Sequence, residues 1–177
     1  PVFSSRTAWD RSTNRLAALL ERRREPGDAV LDLTETNPTR VGIAYPGAEI
    51  LKALADPEVV SYEPDPRGLP AAREAVARTL GERGVEVDPG DLLLTASTSE
   101  AYAWIFKLLA DPGDEVMVPR PSYPLFDYLS RLDSVRPVPY PLSQDRSWSL
   151  DLEALSARTG SAARAVVVVS PNNPTGT

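Results

Sequence analysis

Four consecutive valines at residues 166–169 run without taper into Ser170-Pro171-Asn172-Asn173-Pro174-Thr175-Gly176-Thr177. A short, wholly apolar run of β-branched residues fits a strand buried on both faces. Such strands belong to parallel sheets, whose crossover helices cover both faces. The prolines, asparagines and glycine that follow are turn formers. The stretch therefore predicts a central parallel strand that presents a stiff polar loop at its carboxyl end. That is the end where open α/β sheets bind ligands.

The sequence from residue 91 onward keeps to the same plan. Asp91-Leu-Leu-Leu-Thr95 reads as a strand, and residues 97–113 as a helix opened by a capping box of Ser97 and Glu100. Residues 115–119 read as a strand, 121–133 as a loop and helix, and 134–142 as an irregular strand broken by prolines. Asp151 opens a helix, and residues 163–170 form the last strand. Short apolar strands alternating with helices predict a three-layer α/β/α fold with a mostly parallel sheet.

The first 60 residues lack this alternation. They read as a helix after Ser12-Thr13 ended by Pro26-Gly27, a strand at 29–34, and a short helix stopped near Pro57. They suggest an N-terminal arm and small-domain segment (1–60) ahead of the sheet-forming part (61–177). Pro70 suits the first position of a helix running through residue 84. Eighteen prolines, spread between the periodic segments, mark many tight connections rather than one disordered tract.

Composition narrows the chemistry. There is no cysteine and no histidine, so Ser-His-Asp, Cys-His and His/Cys zinc chemistry cannot be built from this chain. No metal site is expected. A net charge of -6 disfavours nucleic acid and anionic membrane as partners. Arg22, Arg23 and Arg24 form one basic cluster, read as a solvated helix face. No apolar run reaches the roughly 20 residues of a membrane span. No signal peptide opens the chain, so a cytoplasmic protein is expected.

Three loops fall at strand carboxyl ends. Thr95-Ala-Ser-Thr-Ser99 leads into a helix, whose free N–H groups and dipole favour an anion such as phosphate. Plain N-capping would use the same residues. Tyr123, held among Pro119, Pro121 and Pro124, is placed either to stack on a flat heterocycle or to fill core. Asn172 and Asn173 carry amides that donate and accept, in what is either a ligand loop or an ordinary polar turn. A phosphate cradle, a stacking ring and a directed amide together suit a phosphorylated aromatic cofactor.

These residues resemble the N-terminal half of the class I/II aminotransferases, the fold-type I pyridoxal-phosphate enzymes. The resemblance runs from about Asp32 to Thr177 and is most specific in SPNNPTG. It extends to YEPDPRGLPAAREAVA (62 onward), LLLTASTSEAY, GDEVMVPRPSYPLF and DLTETNPT. It implies that Asn173 contacts the phenolic oxygen of pyridoxal 5'-phosphate and lies beside the substrate. Tyr123 stacks on the cofactor ring, and Ser97, Thr98 and Ser99 hold the phosphate. Tyr62 reaches the phosphate of a partner subunit in a homodimer, and Thr36 lies near the substrate carboxylate. Residues 61–177 become the first part of the large cofactor-binding domain. Three departures stand out. Ser97 occupies a position where many relatives have glycine, as does Thr36. The segment from Tyr62 to its Gly-Leu is one residue longer than usual.

The implied reaction moves an amino group from an L-amino acid to a 2-oxo acid. The family's Schiff-base lysine lies well beyond the NNPTG motif. The chain has only Lys52 and Lys107. Lys107 falls eight residues past Ser99 on one helix, roughly 12 Å further along its axis. Neither is expected to be that lysine, so no catalytic residue is assigned here, and the 177 residues are expected to be inactive alone. The same motifs also occur in related lyases and synthases. A non-catalytic cofactor-binding module or, on pattern alone, a nucleotide-binding domain are the other readings.

Overall fold

The computed structural model describes residues 2–24, 29–31, 33 and 35–177. The chain divides into two compact units, Asp10–Leu92 and Pro1–Trp9 with Leu93–Thr177.

The Asp10–Leu92 unit is helical. Helix α1 spans Arg15–Arg24, and the Asn14 carboxamide caps it by accepting from the Ala17 N–H at 2.8 Å. Its predicted end at Pro26-Gly27 lies outside the described residues. Arg22, Arg23 and Arg24 are exposed. Helix α2 spans Gly47–Leu54 and α3 spans Pro70–Gly81, with proline in its first turn as expected. None of the three helices buries a residue.

Side chains organise the turn before α3. The Asp65 carboxylate accepts from the Arg67 N–H at 2.7 Å, and the Gly68 N–H donates to the Asp65 carbonyl at 2.9 Å. Gly68 has φ +90°, a region that residues with a Cβ rarely enter. Arg73 then ties this turn to the next one, donating to the Gly68 carbonyl at 3.1 Å and the Pro89 carbonyl at 2.7 Å.

Two predicted strands are not found among the described residues. Among the described residues of 29–34, none pairs in a ladder; Asp32 and Thr34 lie outside the description. Pro89–Asp91 is a 3₁₀ turn capped by Asp88, and residues 92–95 likewise join no ladder. The apolar character is present in both, but an apolar run becomes a strand only when another segment satisfies its backbone. Val30, Leu31 and Leu33 are exposed instead.

The other unit carries the α/β architecture. Helix α4 spans Thr98–Leu109, β1 Glu115–Arg120, α5 Leu125–Leu132 and β2 Arg136–Ser143. They are followed by β3 Ser149–Leu150, α6 Leu152–Arg158 and β4 Ala163–Val166. The sheet order is β3-β2-β1-β4. Strand β1 pairs parallel with both β2 and β4, and only the short β3 runs antiparallel. The β1-to-β2 crossover through α5 and the return through α6 to β4 run in opposite directions along the sheet, and right-handed connections then put α5 and α6 on opposite faces. This is the expected mostly parallel, three-layer α/β arrangement.

One face of the sheet meets α4 and α5 in a core of Phe106, Val116, Val118, Phe126, Val135 and Val167. Met117 alternates to the other face and is also fully buried. The Tyr140 hydroxyl donates to the Val167 carbonyl at 2.7 Å, bridging β2 and the end of β4 across the fully buried phenol.

Strand β2 explains its own prolines. The Arg136 N–H donates to the Asp114 carbonyl at the β1 edge. Alternate residues face opposite edges, so Pro137, Pro139 and Pro141 all turn their missing N–H away from β1. Proline is tolerated in a strand only on such a side.

The valine run differs from expectation. The ladder ends at Val166, with one more bond from the Val167 N–H to the Met117 carbonyl at 2.8 Å. Strand β4 occupies an edge of this sheet rather than its centre. Val167 is buried, while Val166 is 43% and Val168 64% exposed. Alternation on an edge strand covered on one face replaces burial on both faces.

Candidate functional site

The N-terminus of α4 follows residues 92–96, and its cap is built from local chemistry. Ser97 is the N-cap, its hydroxyl accepting from the Glu100 N–H at 3.2 Å. The Glu100 carboxylate reaches back to the Ala96 N–H at 2.7 Å. This is the expected capping box, closed one residue earlier than the standard reciprocal bond. The Ser97 hydroxyl is thus engaged in capping. The N–H groups of Thr98 and Ser99 occupy the first turn, where helix geometry offers no intrahelical acceptor.

Thr98 and Ser99 line a cavity of ≈260 Å³ with Tyr102, Tyr123, Phe126, Leu129, Val169 and Asn173. Four residues singled out from sequence, Thr98, Ser99, Tyr123 and Asn173, therefore meet in one space. They come from three places: the start of α4, the loop after β1 and the loop after β4. Ser97 is adjacent in sequence but does not line this cavity. Thr36 and Tyr62 belong to the Asp10–Leu92 unit, where both are exposed.

The cavity wall is aromatic. Tyr102 meets Phe126 edge-on, centroids 5.0 Å apart, and Tyr123 meets Phe126 at 6.4 Å and 88°. Tyr123 is 45% exposed, so it is not a core aromatic, and a flat ligand can reach it. Tyr102 escaped the sequence reading. Its signal was spacing: it lies three and four residues after Ser99 and Thr98, one turn deeper on the same helix face. Burial raises its phenol above the ordinary tyrosine value, so near neutral pH it is protonated and able to donate.

The two loops are fastened at their bases. Asn172, only 5% exposed, donates through Nδ2 to the Pro121 carbonyl at 3.2 Å and to Thr175 Oγ1 at 2.9 Å. The Gly176 N–H donates to the Asn172 carbonyl at 2.7 Å, and the Asn172 N–H to the Thr177 carbonyl at 2.5 Å. Gly176 has φ +77° in this turn, a conformation that favours glycine. The neighbouring Asn173 is exposed at the cavity, its side chain unbonded among the described residues. Across the β1 loop, Arg120 Nη2 donates to both Asp127 carboxylate oxygens, at 2.9 and 2.6 Å, so the ion pair spans Tyr123.

The donor set fits a phosphorylated aromatic ring. Unbonded helix N–H groups and two hydroxyls match an anion, the Tyr123 ring matches an aromatic face, and the free Asn173 amide matches a polar ring substituent. Lys107 is not part of this cavity. It forms an ion pair with Asp133 at the far end of α4, as its position along the helix implied. Lys52 lies on α2 of the other unit.

Comparison with known proteins places the chain in a family. Residues 34–177 match the family model "Aminotransferase class I and II". The chain is 31% identical over 157 residues to the glutamate-pyruvate aminotransferase AlaA of Escherichia coli strain K12, covering 88% of this chain and 39% of that protein. It is 32% identical over 155 residues to an alanine aminotransferase of Mycobacterium bovis, covering 85% of this chain and 35% of that one. Among solved structures, it superposes on an alanine aminotransferase from Pyrococcus furiosus with a TM-score of 0.75 at 32% identity, covering 90% of this chain and 40% of that one. A Thermus thermophilus aspartate aminotransferase mutant gives a TM-score of 0.80 at 27% identity over 99% of this chain and 46% of its own. The chain thus spans about two fifths of the length of the curated relatives it matches.

Proposed function

Because this chain belongs to the aminotransferase class I and II family, we propose that the protein it forms part of moves an amino group from an L-amino acid to a 2-oxo acid with pyridoxal 5'-phosphate. The bound cofactor would supply an electron sink for the carbanionic character at the substrate's α-carbon. In this reading, the Thr98 and Ser99 N–H groups and hydroxyls bind the phosphate at the positive end of α4. Ser97 keeps that turn in shape through its cap. Tyr123 packs on the ring and restricts its tilt. Asn173 donates to the phenolic oxygen, which orients the ring and favours its anionic form. The neutral Tyr102 hydroxyl lies one turn below the phosphate site.

The observation that supports this reading most is the shared cavity of Thr98, Ser99, Tyr123 and Asn173. We further place Thr36 near the substrate carboxylate, and Tyr62, 90% exposed, at the phosphate of a partner subunit. A cytoplasmic homodimer with its sites near the interface, residues 1–60 as arm and small-domain segment, and residues 61–177 as the start of the large domain complete the proposal. Among the described residues no helix is long and apolar enough to cross a membrane. The test is amino-group transfer by the full-length protein, offered alanine, glutamate, aspartate and aromatic donors with 2-oxoglutarate or pyruvate. Formation of the matching amino acid supports the reading. Cofactor binding with elimination or condensation instead of transfer contradicts it.

A further inference from the structure

A second cavity, of ≈450 Å³, lies in the same unit and is lined by Ser5, Arg6, Arg131, Ser134, Val135, Arg136 and Pro137. It sits where β2 begins and α5 ends, whereas the cavity described above lies at the carboxyl ends of β1 and β4. Its lining holds three arginines, two serines and no carboxylate, in a chain of net charge -6. The nearby acids are already engaged: Glu115 pairs with Arg136, and Asp133 with Lys107. Arg6 donates through Nε to the Ser134 hydroxyl at 2.8 Å. Among the described residues, neither Arg6 nor Arg131 has a carboxylate partner. Arg6 and Arg131 thus bring two uncompensated positive charges to one cavity, and an anion placed between them relieves their repulsion.

We propose that this cavity binds a small anion bearing one or more phosphoryl groups, at a site separate from the Thr98–Ser99 cradle. Arginine's planar fork suits phosphate oxygens. A phosphoryl group carries three terminal oxygens and can accept from Arg6, Arg131 and a serine hydroxyl together, whereas a carboxylate offers two oxygens in one plane. The volume exceeds that of a single phosphate, and Val135 and Pro137 give an apolar wall for the rest of the molecule. The residue 1–9 segment would be pinned by such a ligand, since it supplies Ser5 and Arg6 and packs Trp9 edge-on to Tyr128 at 5.1 Å.

The test is calorimetric titration of pyrophosphate, inorganic phosphate and succinate into the full-length protein saturated with pyridoxal phosphate, so that the Thr98–Ser99 cradle is already filled. Variants are R6Q/R131Q, S99A and a surface control, R158Q. All three cavity arginines are exposed, and circular dichroism checks that the double variant is folded. The expected result is saturable pyrophosphate binding that R6Q/R131Q weakens at least tenfold. S99A and R158Q should leave it within twofold, and succinate should bind more weakly. Absence of saturable binding overturns the proposal. So does binding that survives R6Q/R131Q, binding that S99A abolishes, or a preference for succinate.

Discussion

The Asn172 side-chain amide donates to the Pro121 carbonyl oxygen at 3.2 Å, joining loops 51 residues apart in sequence. One loop carries Tyr123 and the other carries Asn173. A single buried amide therefore sets the separation of the two groups proposed to address a ring from its face and its edge. The side chain of its neighbour Asn173 makes no such bond among the described residues and faces the cavity.

Asn172→Ala removes the bonds to Pro121 and Thr175 and leaves the Pro121 carbonyl without its partner. Losing buried hydrogen bonds of this kind costs about 1–3 kcal/mol. Urea unfolding should show that loss, and pyridoxal phosphate affinity should fall as the loops loosen. Wild-type stability in the variant would show that Asn172 is not a latch.

Ser97→Ala removes the N-cap of α4 while leaving Thr98 and Ser99 in place. The expected cost is about 1 kcal/mol of stability. Pyridoxal phosphate affinity should weaken less in this variant than in Ser99→Ala, because Ser97 acts through the helix rather than on the phosphate. The reverse order would return Ser97 to the binding set as a direct contact.

Asp114 accepts from Arg164 Nε at 2.9 Å and from the Asp111 N–H at 3.0 Å. The bond from Arg164, then that from Asp111, holds its carboxyl below the usual carboxylate value. The unfolded chain therefore takes up this proton at a higher pH than the folded chain. The contribution is complete above the ordinary carboxylate pKa of about 4 and disappears as pH falls through the lower folded value. Denaturation midpoints measured from pH 7 down to 3 should fall less steeply in Asp114→Asn than in wild type. Parallel acid limbs would mean that Asp114 is not coupled to folding.

Tyr123→Phe keeps the ring and should bind pyridoxal phosphate within severalfold of wild type. Tyr123→Ala removes the packing surface and should weaken binding by tenfold or more, about 1.4 kcal/mol. Equal affinities for the two would mean that the exposed face of Tyr123 is not used.

How much was legible in the sequence depended on how local the physics was. The α4 cap was readable because Ser97 and Glu100 interact within one turn. Strand β2 was readable despite its prolines because their period of two keeps every lost N–H on one edge. The loops after β1 and β4 were readable as loops because proline, asparagine and glycine directly after an apolar strand end it. The segment at 91–95 was misread, and the described residues of 29–34 join no ladder, because a strand needs a distant partner that no local pattern supplies. The burial of the valine run was overstated for the same reason: its place in the sheet order, not its composition, exposes Val166 and Val168. Asn172 and Asn173 looked equivalent in residue chemistry, and only the resemblance singled out Asn173. Packing against Pro121 is what makes Asn172 a latch. Tyr102 needed the helix and the cavity together before its spacing carried meaning.

The central claim is that Thr98, Ser99, Tyr123 and Asn173 form one pyridoxal phosphate site. Its most direct test is a spectroscopic titration of the cofactor into full-length apoprotein, comparing wild type with Asn173→Ala, Ser99→Ala and the surface control Arg78→Gln. The account predicts at least tenfold weaker binding for Asn173→Ala, with a shifted cofactor absorption band because the contact to the phenolic oxygen is lost. Ser99→Ala should bind more weakly with little spectral change, and Arg78→Gln should match wild type. Unchanged affinity and spectrum in both Asn173→Ala and Ser99→Ala would contradict it.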